Sequence, residues 1–145
     1  MTALAQEKYN APYALNSVFP TMPPVEYDMA ANVTIYAGAL VMLNASGNAT
    51  PGAAATGQIA VGVAEKTATN GATAGATKIG VRHGVFTFVN SASTDEITKA
   101  HYGKDCYIVD DQTVAATDGS SARSRAGKVM GVTTAGVLVL ICPGF

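Results

Sequence analysis

The side chains best suited to acid–base, nucleophilic or metal chemistry are His83, His101, Cys106, Cys142 and the carboxylates Asp95, Glu96, Asp110, Asp111 and Asp118. A metal site needs ligands at workable spacing, and neither histidine groups with a cysteine. His83 lies between Arg82 and Gly84 with no carboxylate or thiol nearby in sequence, which suits a surface or strand-end histidine better than a catalytic base. The three aspartates at 110, 111 and 118 fit turns, where Asp bonds its own backbone two residues on. Asp95 and Glu96 are expected at a helix start, where exposed amides favour carboxylates. No Gly-x-Ser-x-Gly elbow occurs. The nearest approach to a phosphate loop, Gly119 to Gly127-Lys128, has the wrong gap and is followed by Val129 in place of a magnesium-binding hydroxyl. The reading is non-enzymatic, with no catalytic, cofactor-binding or metal residue and no small-molecule substrate.

The elements that would carry these side chains are mostly strands. Val25, Tyr27 and Met29 alternate with Glu26 and Asp28, and Val33 and Ile35 alternate with Thr34 and Tyr36, the period of a half-buried strand. Ala39 to Leu43 is a short apolar run, and glycine-rich turns are expected around Asn44 to Gly52. In Ile59 to Ala64 the valines and isoleucine oppose Ala60, Gly62 and Ala64, so that small face must lie against another backbone or layer. Asn70-Gly71 and Gly75 punctuate a hairpin. Ile79 to Val89 reads either as a tight hairpin or as one strand kinked at Gly84. Cys106 to Val109, Thr113 to Ala116, Lys128 to Thr133 and Val137 to Cys142 supply further strands, for nine or ten in all. One helix is expected, from Ser93 with Glu96 as its capping box to Gly103. Lys99 and His101 near its end complement the dipole.

Residues 1–24 differ from the rest. Prolines at 12, 20, 23 and 24 forbid a regular helix, and Tyr9, Tyr13, Phe19 and Met22 are unusual in a segment without period. An extended arm is expected there, followed by an all-β, compact barrel-like or sandwich domain over residues 25–145. No internal repeat is evident. Tyr9, Pro12, Tyr13, Phe19 and Met22 are the candidate partner-binding residues.

Totals narrow the partners. The 145 residues carry nine basic and ten acidic side chains for a net charge of −1, which offers no field for nucleic acid or anionic lipid. Arg123, Arg125 and Lys128 read as charges on a solvated loop. Charged residues are 13% of the chain, low for a soluble domain, and suit permanent assembly. The longest strongly apolar run, Val137 to Cys142, is far short of the roughly 20 residues that span a bilayer. The first eight residues lack a secretion signal's basic start and apolar stretch, so the chain is expected to fold where it is made. Glycosylation triplets at Asn32, Asn44 and Asn48 are then coincidental. Both cysteines are expected to be buried free thiols.

The run GQIAVGVAE at Gly57 to Glu65, followed by TKIGVRHGVF at Thr77 to Phe86, resembles the capsid cement and head decoration proteins of tailed bacteriophages. AGALVMLNASG at Ala37 to Gly47, CYIVDDQTV at Cys106 to Val114 and GKVMGV at Gly127 to Val132 are similar to that family too. The resemblance implies a small β-rich structural subunit, often a homotrimer, bound to the major capsid protein on the outer surface of the virion head. It supplies no catalytic residues. Ordering the arm costs more than burying its few large side chains returns, so it is expected to gain backbone hydrogen bonds by adding a strand to an edge on a capsid protein or a neighbouring subunit. A β-rich tail-fibre or adhesin-type module is the alternative.

Overall fold

The computed structural model describes residues 24–143. The expected arm residues Tyr9, Pro12, Tyr13, Phe19 and Met22 lie outside them.

The described chain is all-β, in the order β1 (Val25–Asp28), β2 (Thr34–Ile35), β3 (Leu40–Leu43), β4 (Ala49–Pro51), β5 (Ile59–Ala64), β6 (Ala68–Thr69), β7 (Lys78–Arg82), β8 (Gly84–Phe88), β9 (Asp105–Ile108), β10 (Val114–Ala115), β11 (Arg125–Thr133) and β12 (Gly136–Ile141). One five-stranded sheet runs β1-β7-β5-β3-β4 and a second runs β8-β12-β11-β9-β10, while β2 and β6 form a two-stranded annex. A single parallel bridge brings together the outer edges of each sheet, Met29 to Ala49 in the first and Val89 to Thr113 in the second. Each sheet is thereby rolled on itself, which leaves little open edge.

The two sheets share one topology. Numbered by their turn in the chain, the strands of each lie in the order first, fifth, fourth, second, third, and every pairing is antiparallel. The match extends to individual residues at an offset of 65, as from Gly62 to Gly127. In the first sheet the register slips between Val41, opposite Gly62, and Met42, opposite Ala60. Its counterpart slips between Cys106, opposite Gly127, and Tyr107, opposite Arg125. Gly38 N–H donates to Ala64 O and Ala64 N–H to Ala39 O, each at 2.9 Å; Gly103 donates to Val129 O at 2.7 Å and Val129 to Lys104 O at 2.9 Å. The sequence hides this repeat: from Ala37 to Glu65 and from Tyr102 to Met130 only Gly38/Gly103 and Gly62/Gly127 are identical pairs.

Both glycines at the slips are sterically required. A Cβ on Gly62 would sit 2.0 Å from Arg82 O, and one on Gly127 2.1 Å from Leu140 O. The expected close backbone on the small face of β5 is therefore present at Gly62. The bulge also alters the simple alternation, since Val61 and Ala64 enter the first core while Ala60 and Val63 face the second.

Val41, Ala49, Val61, Ala64, Ile79 and Val81 fill the first barrel. At matching places Cys106, Val114, Ala126, Val129, Val137 and Val139 fill the second. Leu40, Met42 and Ala60, on the outer face of β3 and β5, pack into the second core and join the halves. Leu40 N–H donates to Asp111 O at 2.8 Å, Ala53 bridges Asp110, and the Ser124 hydroxyl donates to Ala55 O at 2.7 Å while accepting from Gln58 N–H at 3.0 Å.

Several expectations are corrected. The helix from Ser93 to Gly103 is two single 3-10 turns, Ser93–Asp95 and Lys99–His101. Ser93 has φ 59, which an N-cap does not adopt, and Glu96 is extended. The Asn90 amide pairs with both backbone groups of Ile97, holding that buried residue extended between the turns. The capping box belongs to Thr98 and His101. Between Ile79 and Val89 the chain is neither a hairpin nor one kinked strand: β7 ends at Arg82 in the first sheet and β8 begins at Gly84, φ 143, in the second. Twelve strands occur among the described residues, because Ala49–Pro51 and Ala68–Thr69 pair where turns and loop were expected. Asn70 is the pin of its loop: its buried amide donates to the carbonyls of Met29, Ala30 and Thr73.

Candidate functional site

Burial and internal pairing account for most of the chemistry-bearing side chains. The Cys106 thiol is fully buried in the second core, and burial pushes its pKa up to about 12, which keeps it protonated and poorly nucleophilic. Cys142 is half-buried just after β12, and both thiols are free. Burial, then the neighbouring Cys142, raises the Tyr27 phenol above its usual range. His83 Nδ1 contacts Val61 O at the crossing between sheets, and His101 Nδ1 accepts from Thr98 N–H at 3.0 Å. Each imidazole thus has a local backbone role.

Asp110 accepts from Gln112 N–H at 2.9 Å in the anticipated turn, and Asp118 uses its carbonyl to receive Ala122 and Arg123 N–H. Asp95 departs from its expected helix-start role. It accepts from the Thr117 hydroxyl and lies 3.3 Å from Arg123, so the Thr117 bond first and the guanidinium second hold its carboxyl below the usual range. No group of three or more His, Cys, Asp or Glu is placed to hold a metal ion among the described residues. None of the described helices is long and apolar enough to cross a membrane.

The basic cluster is also corrected. Arg123 is tied to Asp95 and to Thr117 O, whereas Arg125 and Lys128 belong to β11 and converge on Asp105 of β9, at 3.1 Å and 2.7 Å. These three side chains share the outer face of the second barrel, opposite the buried Cys106, Ala126 and Val129. The apolar Ala126 and the glycine at 127, between the two charges, hid this from the sequence. Its one trace in the sequence is the glycine shared by Ala60-Val61-Gly62-Val63-Ala64 and Arg125-Ala126-Gly127-Lys128-Val129, which is too little to reveal it.

Where the described chain begins, a polar groove of about 440 Å³ is lined by Pro24, Glu26, Glu65, Lys66, Lys78 and Gly80, among others. Asp28 pairs with Lys78, and Glu65 with Arg82 at 2.9 Å, along its margin. Exposed apolar side chains occur at Val25, Tyr36, Ile59, Val89, Tyr102 and Met130. The Tyr102 hydroxyl accepts from Val132 N–H at 3.3 Å. What this arrangement offers is contact area with mixed charge and dispersed apolar groups.

No family model matches the chain, and no curated protein or solved structure matches it either.

Proposed function

We propose that this chain is a non-enzymatic structural protein of a tailed bacteriophage, bound to the outer surface of the capsid and stabilising it. In this reading residues 1–24 bridge subunits of the major capsid protein, and homotrimeric contacts strengthen the attachment. Many copies on one shell act together through high effective concentration, so modest affinity per copy suffices.

The observation that carries the reading is the motif series of residues 37–132, which resembles decoration proteins and falls on the strands and turns of the double barrel. Internal use of Asp95, Asp105, His83, His101 and Cys106 also favours a structural role. The test is co-sedimentation with undecorated phage heads. Saturable binding at a fixed number of copies per head is expected; a protein that stays in the supernatant would remove the reading.

One observation favours a second reading. Tail-fibre and adhesin modules are commonly built from internal repeats, and the duplicated strand order is such a repeat. Binding to host-cell envelopes without binding to heads would select it.

A further inference from the structure

The joint between the two barrels is heterologous: the outer face of the first, carrying Leu40, Met42, Ala60 and Val63, packs into the second. The repeat places Asp105, Tyr107, Arg125 and Lys128 on the same face of the second barrel, at an offset of 65 from these four. A heterologous joint can be used again. Unless something stops it, the second barrel's copy of the face could pack into the first barrel of another chain, and so on without closing.

The rim of the receiving side is open in the first barrel. At the joint the first barrel is met by Asp110, Asp111 and Ser124, whose counterparts in the first barrel are Ala45, Ser46 and Ile59. All three are exposed, Ile59 at 56%. On the packing side, however, the second barrel presents ions. Asp105 is held by Arg125 and Lys128 at once, and each member of the trio keeps about a third of its side-chain surface in water. Exposed pairs of this kind contribute little to folding stability. Burying them against an apolar neighbour would strip their hydration, which attraction between the charges does not reliably return.

We infer that the Asp105–Arg125–Lys128 cluster is a terminator: it blocks head-to-tail addition of a second copy of this chain at the face that joins the two barrels internally. Repeat proteins need a polar outer face on their terminal unit for the same reason. The inference concerns contacts between copies and stands independently of capsid attachment.

The test copies the first barrel's face onto the second with D105L, Y107M, R125A and K128V in the full chain. Sedimentation equilibrium over a concentration series is compared with the unaltered protein, with circular dichroism as the folding check. The fourfold variant should show a mass rising with concentration to at least about twice that of the unaltered chain. Adding Ile59→Arg on the receiving side should reverse the rise. Should the fourfold variant not fold, D105A/R125A/K128A is judged by the same two outcomes. A mass equal to that of the unaltered protein, or a rise that Ile59→Arg leaves intact, would overturn the inference.

Discussion

Gly62 and Gly127 occupy the same place in two copies of one strand order, each at a register slip and each with a neighbouring carbonyl where a side chain would begin. Gly62 also has φ 146, where L-residues are strained. Gly62→Ala should cost on the order of 3 kcal/mol from overpacking and strain together, and Gly127→Ala about 1–3 kcal/mol from overpacking alone. Gly71, where a Cβ meets nothing within 4 Å, is the control and should be neutral or slightly stabilising as Ala. Urea unfolding of the three variants reads these differences. A Gly62→Ala protein as stable as the parent would mean the bulge is wrongly placed.

The repeat explains which parts of the fold were legible beforehand. β7 and β12 show alternation or a continuous apolar run because each carries several inward side chains, whereas β1 alternates with only Tyr27 packed against the first core. β4 and β6 have only Ala, Thr and Pro, and pairing with β3 and β2 makes them strands despite weak preference. Ser93 to His101 has helix-like spacing, yet Asn90 pairs with Ile97 and tertiary contact overrides local preference. The repeat itself was invisible because the cores match in size and polarity rather than identity, Val41 standing where Cys106 stands and Ala49 where Val114 does. The charged face is half legible: Arg125 and Lys128 lie close together in the chain, but their partner Asp105 lies on another strand.

The two thiols should behave differently. Cys142 should react with a thiol-specific reagent in the folded protein, and Cys106 only after denaturation. Because the folded Cys106 pKa is about 12 against an ordinary thiol near 8.5, the unfolded chain loses its proton first as pH rises. Cys106 therefore lowers stability progressively from about pH 8.5 towards 12. Counting reacted thiols in native and denatured protein checks the first point, and two native equivalents would contradict it.

Acid should act partly through Asp95. Its folded pKa is depressed, so the stability it contributes is present above the ordinary carboxylate range and is lost as pH falls through the folded value. Asp95→Asn should therefore flatten the acid side of the stability profile and narrow the gap from the parent below about pH 4. Thermal unfolding from neutral to acid pH measures this. A constant difference at every pH would show that the carboxylate's charge is not what matters.

Asn70 ties its loop to the chain just after β1 through the carbonyls of Met29 and Ala30, and closes the loop on itself through that of Thr73. Asn70→Ala removes these bonds, although Met29 O keeps the Gly75 N–H and Thr73 O the Ala76 N–H, and should cost about 1–2 kcal/mol. Asn70→Asp should be worse, since it points a charge at the same oxygens. Chemical denaturation ranks the pair, and an aspartate variant equal to the parent would contradict the pinning role.

Capsid attachment is tested most directly by sedimenting undecorated phage heads with the full chain and, in parallel, with a chain lacking residues 1–24 whose fold is verified by circular dichroism. The proposed function predicts that the full chain pellets with the heads to a plateau while the shortened, folded chain remains in solution. A full chain that stays in the supernatant at every concentration would contradict it.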